Sequence, residues 1–167
     1  MKNLKRFAFV ILALVIAGVA FARPYKYAVG LSTGAFGIGI TEKTMFTDHV
    51  FMSEDLGYRR KYAAGDLEQF DEFSTYIQCG YQNKITEGEG IDLHWFVGGG
   101  VSLGGIYRFR YGKFGINALA GIEADMKNAP ISFAVDFRPG YALGFGDGTA
   151  HAFDWTIGVS IFYTLPK

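Results

Sequence analysis

"ISFAVDFRPGYALGF", residues 131–145, sets Ile131, Phe133, Val135, Phe137, Tyr141, Leu143 and Phe145 at every second position but one. Ser132, Ala134, Asp136 and Arg138 stand between them. Alternation of this kind is a β-strand with one apolar face. In a half-buried strand of a soluble domain the apolar face covers a core and the charges point outward. In a small membrane barrel the same pattern is inverted, with the apolar face on lipid and Asp136 and Arg138 in the lumen. Which side of the strand meets water decides the rest of the reading.

The start of the chain places it outside the cytoplasm. "MKNLKRFAFVILALVIAGVAFA" has a basic beginning (Lys2, Lys5, Arg6), an apolar run from Phe7 to Ala17, and small Ala20 and Ala22 around Phe21. That is the pattern of a cleaved export signal, so residues 1–22 are expected to be removed after Ala22, leaving 23–167 as one domain. Removal takes three basic residues and no acidic ones from a chain with 16 of each, so the remainder is mildly acidic. Such a domain lacks the clustered basic surface that nucleic-acid binding needs. Cys79 is the only cysteine, so no internal disulfide forms.

Further runs of the same alternation fill the chain. In 153–165, Ile157, Val159, Ile161, Tyr163 and Leu165 oppose Thr156, Gly158, Ser160 and Thr164, with Phe162 the exception. In 113–126, Phe114, Ile116, Ala118, Ala120, Ile122 and Ala124 oppose Asn117, Leu119, Glu123 and Asp125. In 91–103, Ile91, Leu93, Trp95, Val97 and Val101 oppose Asp92 and His94, and in 72–82, Phe73, Ile77, Cys79 and Tyr81 oppose Ser74, Tyr76 and Gln78. Clusters of Gly, Asp, Asn and Pro separate the runs, which predicts a single all-β domain. The runs exceed the five or six residues of an average soluble strand and match the nine to eleven of a tilted membrane strand.

Connection lengths then predict a topology. Short segments at 83–90 and 126–130 belong to one end, and the longer, charged and aromatic segments 59–72, 102–113 and 146–152 to the other. Outer-membrane barrels keep short turns on the periplasmic side and longer loops outside. Both chain ends fall in the periplasm only if the strand number is even. A hairpin at "TGAFG" supplies the extra strand, giving strands near 27–33 and 36–44, a third near 48–58, and eight in all.

The leader, the glycine- and aromatic-rich strands, "APISFAVDFRPGYAL" and the alternating final strand "WTIGVSIFYTL" together resemble the small outer-membrane β-barrel proteins, OmpX-like in size. The resemblance implies an antiparallel up-and-down transmembrane β-barrel in the outer membrane of a Gram-negative bacterium. It also implies outer-membrane lipid and the barrel-assembly machinery as partners.

On that geometry Gln78, Asp92, His94, Asn117, Glu123, Asp125, Asp136 and Arg138 point into the barrel. Acids beside an arginine can form an acid/base pair. The lumen of eight strands is just wide enough for its own side chains, however, and buried charges must pair, so a charge-plugged lumen is the expectation rather than catalysis or an open pore. Tyr58, Arg59, Arg60, Tyr62, Tyr107, Arg108, Phe109 and Arg110 are the contact candidates in the external loops, in reach of other surface proteins. His49, His94 and His151 lack metal-ligand spacing, and "GFGDG" at 144–148 has no helix after it, so neither metal nor cofactor is expected. Two alternatives stand beside this reading: a secreted lipocalin-like barrel with the apolar set turned inward around a small ligand, and an outer-membrane lipid-modifying hydrolase using "HVFMS" at 49–53.

Overall fold

The structure, a computed structural model, describes residues 25–34, 37–62, 69–106, 111–146 and 151–166. Eight strands follow one another: β1 (Tyr25–Gly34), β2 (Gly37–Met45), β3 (Val50–Tyr62), β4 (Gln69–Glu87), β5 (Ile91–Ile106), β6 (Tyr111–Met126), β7 (Ile131–Gly146) and β8 (His151–Pro166). Each pairs antiparallel with its sequence neighbours, and β8 returns to β1 through Tyr27↔Leu165 to Thr33↔Val159, closing the barrel. The expected eight-stranded up-and-down barrel is therefore what the chain forms.

The first hairpin is the tightest. Gly34 pairs with Gly37 across two residues, and Gly37 has φ +91° with the Tyr58 carbonyl oxygen 2.0 Å from where a Cβ would sit. Only glycine meets both conditions. At the barrel end that holds Tyr25 and Pro166, Thr47 Oγ1 accepts from the amides of His49 (3.1 Å) and Val50 (2.9 Å) to shape the β2–β3 turn. The β4–β5 and β6–β7 turns are tied together there by Lys127 N donating to Gly90 O at 2.9 Å.

The strands run further than the hydrophobic alternation does. Within the predicted loop 59–72, β3 runs on to Tyr62 and β4 begins at Gln69, because the ladder continues past Arg59↔Glu72, opposite charges set across from each other. Likewise β5 reaches Ile106 and β6 starts at Tyr111 within the predicted 102–113, β7 reaches Gly146 and β8 starts at His151 within 146–152, and the turn at 83–90 contracts to Gly88–Gly90, after an irregularity between Lys84 and Thr86. Polar side chains end an amphipathic pattern without ending backbone pairing, which is why the loops read too long.

Side chains sort cleanly by parity. Phe133, Val135, Phe137, Tyr141, Leu143 and Phe145 of β7 are all exposed on the outer wall, while Ser132, Ala134, Asp136 and Arg138 are buried inside. The same division holds on β8, where Phe153, Trp155, Ile157, Val159, Ile161 and Tyr163 face outward and Thr156, Ser160 and Phe162 inward. Water-avoiding side chains outside and charges inside is the reverse of a soluble barrel, so the lipocalin-like arrangement is not the one built.

Closing eight strands requires close backbone approach on the inner side. At Gly98 and Gly100 a Cβ would lie 2.2 Å and 2.1 Å from the carbonyl oxygens of Cys79 and Ile77 on β4, and backbone cannot yield that distance.

Candidate functional site

Parity on β2 and β3 brings Thr41, Lys43 and Met45 inward beside Phe51, Ser53 and Asp55, so the lumen receives a lysine and an aspartate that the sequence reading did not select. Both sit where acids on the outer face, Glu42 and Glu54, blur the alternation. The parity of Ile38, Ile40, Leu56 and Tyr58, all outward, is the signal that locates them.

Two buried ionic groups occupy the waist. Arg138, 5% exposed, donates from Nε to Asp136 Oδ1 (2.5 Å), from Nη2 to Asp136 Oδ2 (2.9 Å) and from Nη1 to Asp55 Oδ2 (2.5 Å). Its guanidinium also lies 5.7 Å from the centre of the Tyr76 ring. Nearer the termini, Lys43 donates to Glu123 Oε2 and, at 2.6 Å, to Gln82 Oε1. The Lys43 ammonium stands 4.6 Å and 5.6 Å from the Phe51 and Phe96 ring centres, and these rings meet edge to face at 5.8 Å.

Smaller groups continue the series toward both ends. His94 Nδ1 lies 3.2 Å from Asp125 Oδ2. At the far end Glu72 receives Arg59 Nη2 at 2.9 Å and Lys113 Nζ on its other oxygen. At the terminal rim, Asp92 is held by Lys127 (3.2 Å) and Lys84 (3.4 Å), and Glu87 by the same two lysines at 3.0 and 3.1 Å. Hydrogen bonds from Lys127 and then Lys84 hold the exposed Glu87 carboxyl below its ordinary range, and Glu87 in turn raises Lys127.

All eight residues selected for the lumen are on inward positions, but not in one network. Asp136 and Arg138 join Asp55, Glu123 joins Lys43, His94 joins Asp125, and Asp92 belongs to the rim. Asn117 reaches only the neighbouring Ala118 carbonyl, at 3.4 Å. Gln78, 1% exposed, faces a cavity of about 20 Å³ with neither amide atom hydrogen-bonded among the described residues. That volume admits one water.

The lumen is not polar throughout. Ala28, Met45, Phe51, Phe96, Leu119, Ala134 and Phe162 form a buried apolar cluster inside the barrel, so Phe162 is one of several inward apolar residues rather than an exception. A wholly polar filling would leave many more groups needing partners in a dry space; aromatic rings fill volume without that demand.

The loop candidates divide. Tyr58 lies on the outer wall of β3, tilted against Phe73 at 5.2 Å, and Arg59 turns into the lumen toward Glu72, so neither is a loop residue. Arg60 and Tyr62 lie on β3 with side chains outside the described residues, and Tyr107, Arg108, Phe109 and Arg110 fall outside them altogether. The proposed "HVFMS" pair separates: His49 Nδ1 is 3.2 Å from Gln82 O with its ring stacked on Tyr81 at 5.3 Å, while Ser53 faces the lumen. Among the described residues no group of three or more His, Cys, Asp or Glu is arranged to hold a metal.

No protein-family model matches the chain, and no curated protein matches it. Among solved structures, the chain is similar to the crystal structure of Neisserial surface protein A, at 11% identity over 83% of this chain and 93% of that one, with a TM-score of 0.42.

Proposed function

We propose that the chain is a small outer-membrane β-barrel whose lumen is plugged by paired charges and aromatic rings, and which acts as a structural and interaction protein through the segments at its extracellular end. One observation carries this reading: a closed barrel with large apolar side chains exposed on the outer wall and Arg138, Asp55, Asp136, Lys43 and Glu123 buried within. In water that distribution has no driving force, whereas in lipid it sets the apolar wall against hydrocarbon and keeps these five charges inside.

Tyr25 at the start of β1, Pro166 at the end of β8 and the short turns at 46–49, 88–90 and 127–130 share one end, which suits a chain exported by the leader 1–22 with its domain 23–167 inserted from the periplasm. At the opposite end β3 stops at Tyr62, β5 at Ile106 and β7 at Gly146, and this is the end to which we assign contacts with other surface proteins. Outer-membrane lipid and the barrel-assembly machinery are the partners this reading requires. The 20 Å³ cavity at the waist has room for a water but not for a solute stream, which supports a closed lumen, and the split of His49 from Ser53 favours no enzymatic role.

Membrane fractionation with unheated and heated samples on a denaturing gel tests the proposal. Outer-membrane recovery with heat-shifted migration is the expected result. A soluble periplasmic product with one mobility refutes it.

A further inference from the structure

The barrel wall is uneven. The β8–β1 ladder stops at Thr33↔Val159, and β2–β3 stops at Ile38↔Tyr58. Above those pairs β8 continues from Gly158 to His151 and β3 from Arg59 to Tyr62, each paired on its other side only. Among the described residues no strand lies between these two edges. With strands about 4.8 Å apart, the edges are about 14 Å from each other, the room that two strands occupy. Alternate residues of each edge aim their N–H and C=O groups into that gap, and in hydrocarbon such groups demand partners.

The flanks of the gap are apolar and among the most exposed residues of the molecule: Ile38 at 72%, Phe153 at 68%, Trp155 at 58% and Ile157 at 55%. They fit a continuing barrel wall rather than a surface in water.

Below the gap the outer wall departs from lipid-facing composition. Glu42 of β2 lies directly across from Glu54 of β3, and both are exposed on the outer face. Like charges directly opposite destabilise a sheet, and carboxylates on a lipid face cost more. On β2 only Ile38 and Ile40 are outward apolar residues, about 7–10 Å of strand against an apolar band about 25 Å tall. Lipid alone does not suit this side, while a basic side chain on a protein neighbour would cancel the paired charge.

We propose that the β8–β1–β2–β3 side docks an extended two-stranded segment of another surface protein. The segment pairs with the open edges of β8 and β3, alternates apolar and small polar side chains as the barrel's own strands do, and continues over the outer face of β2 and β3, about 13 Å below Ile38, to set a lysine or arginine against Glu42 and Glu54. The proposal rests on the outer-membrane reading above.

The test uses the full refolded barrel in lipid nanodiscs, and its heat-shifted gel band is scored first; loss of that band refutes the membrane reading rather than the docking surface. Amide exchange then compares His151–Gly158 with Val159–Leu165. The gap-facing amides of the upper segment are expected to exchange at least about tenfold faster. The probe is a synthetic hairpin of alternating Val and Thr around Asn-Gly with one strand extended by four residues to a terminal Lys; its expected effect is to slow them saturably, while a version with Pro in each strand does not. Glu42→Gln with Glu54→Gln is expected to weaken the Lys hairpin about three- to fivefold, as for an exposed ion pair, and to leave a Lys-free hairpin unchanged. Equal protection of both segments in the free barrel, or no saturable slowing, overturns the proposal. Protection that rises with barrel concentration alongside a dimer assigns the gap to a second copy and overturns it too.

Discussion

Replacing Arg138 by Met removes three charge-assisted hydrogen bonds at 2.5, 2.5 and 2.9 Å and leaves Asp55 and Asp136, both nearly inaccessible, facing each other without a cation. Breaking a buried ion pair by deleting one partner costs about 3–5 kcal/mol, most of it the stranded charge. Against a total stability of about 5–15 kcal/mol this is a large fraction. With a urea slope of about 1–3 kcal/mol per molar, the unfolding midpoint in micelles should fall by at least about 1 M. The diagnostic comparison is the triple variant Arg138→Met, Asp55→Leu, Asp136→Leu, which deletes all three charges and should recover most of the loss. Tryptophan fluorescence and the heat-shifted gel band report folding independently. If Arg138→Met shifts the midpoint by less than about 0.3 M, or the triple variant is no better than the single one, the triad is hydrated and the argument from a dry lumen fails.

Gly100→Ala should destabilise the barrel by about 1–3 kcal/mol, since the new methyl lies 2.1 Å from the Ile77 carbonyl oxygen; Gly90→Ala, with nothing within 4 Å, should stay within about 0.5 kcal/mol in the same urea titration. Lys43→Met should strand Glu123 and cost more than Lys43→Met combined with Glu123→Leu, read as non-additivity in a double-mutant cycle. At the rim, Glu87 has a lowered folded-state pKa, so its contribution is complete above the ordinary glutamate range near about 4.3 and is lost as pH falls below it. Protection factors of the amides in the 127–130 turn, corrected for the intrinsic pH dependence of exchange, should therefore fall from pH 6 to pH 3 in the native protein, less so in Glu87→Gln, and the difference should shrink in high salt.

How far the sequence foretold the fold depends on parity. In 131–145 and 153–165 one face is apolar almost without interruption, so the register of in and out can be read residue by residue. Between Glu42 and Asp55 it cannot, because Glu42 stands next to Lys43 and Glu54 next to Asp55, and charge on both faces erases the period. Lys43 and Asp55, which anchor the two waist groups, were missed for that reason, and only the outward parity of Ile38, Ile40, Leu56 and Tyr58 beyond that stretch locates them. Loop edges failed differently: Arg59 and Glu72 look like loop residues by polarity, yet they meet inside the barrel because pairing of the backbone outlasts the apolar pattern. The inward Phe51 and Phe96 could not be told from outward aromatics by type, only by position on a strand whose ends were not yet known.

The meeting of Tyr27 with Leu165 also sets the order in which this molecule can come into being. The first strand's partner on one side is the last to emerge, so no shorter chain can close the ring. Until the final residues arrive, a strand edge and an apolar wall stand exposed together, a combination prone to pairing with the wrong neighbour. Contacts this distant in sequence are slow to form, since the loop they close is nearly the whole chain. The polypeptide must therefore fold as a unit, and a truncation that removes only the last ten residues should leave not a weakened barrel but none.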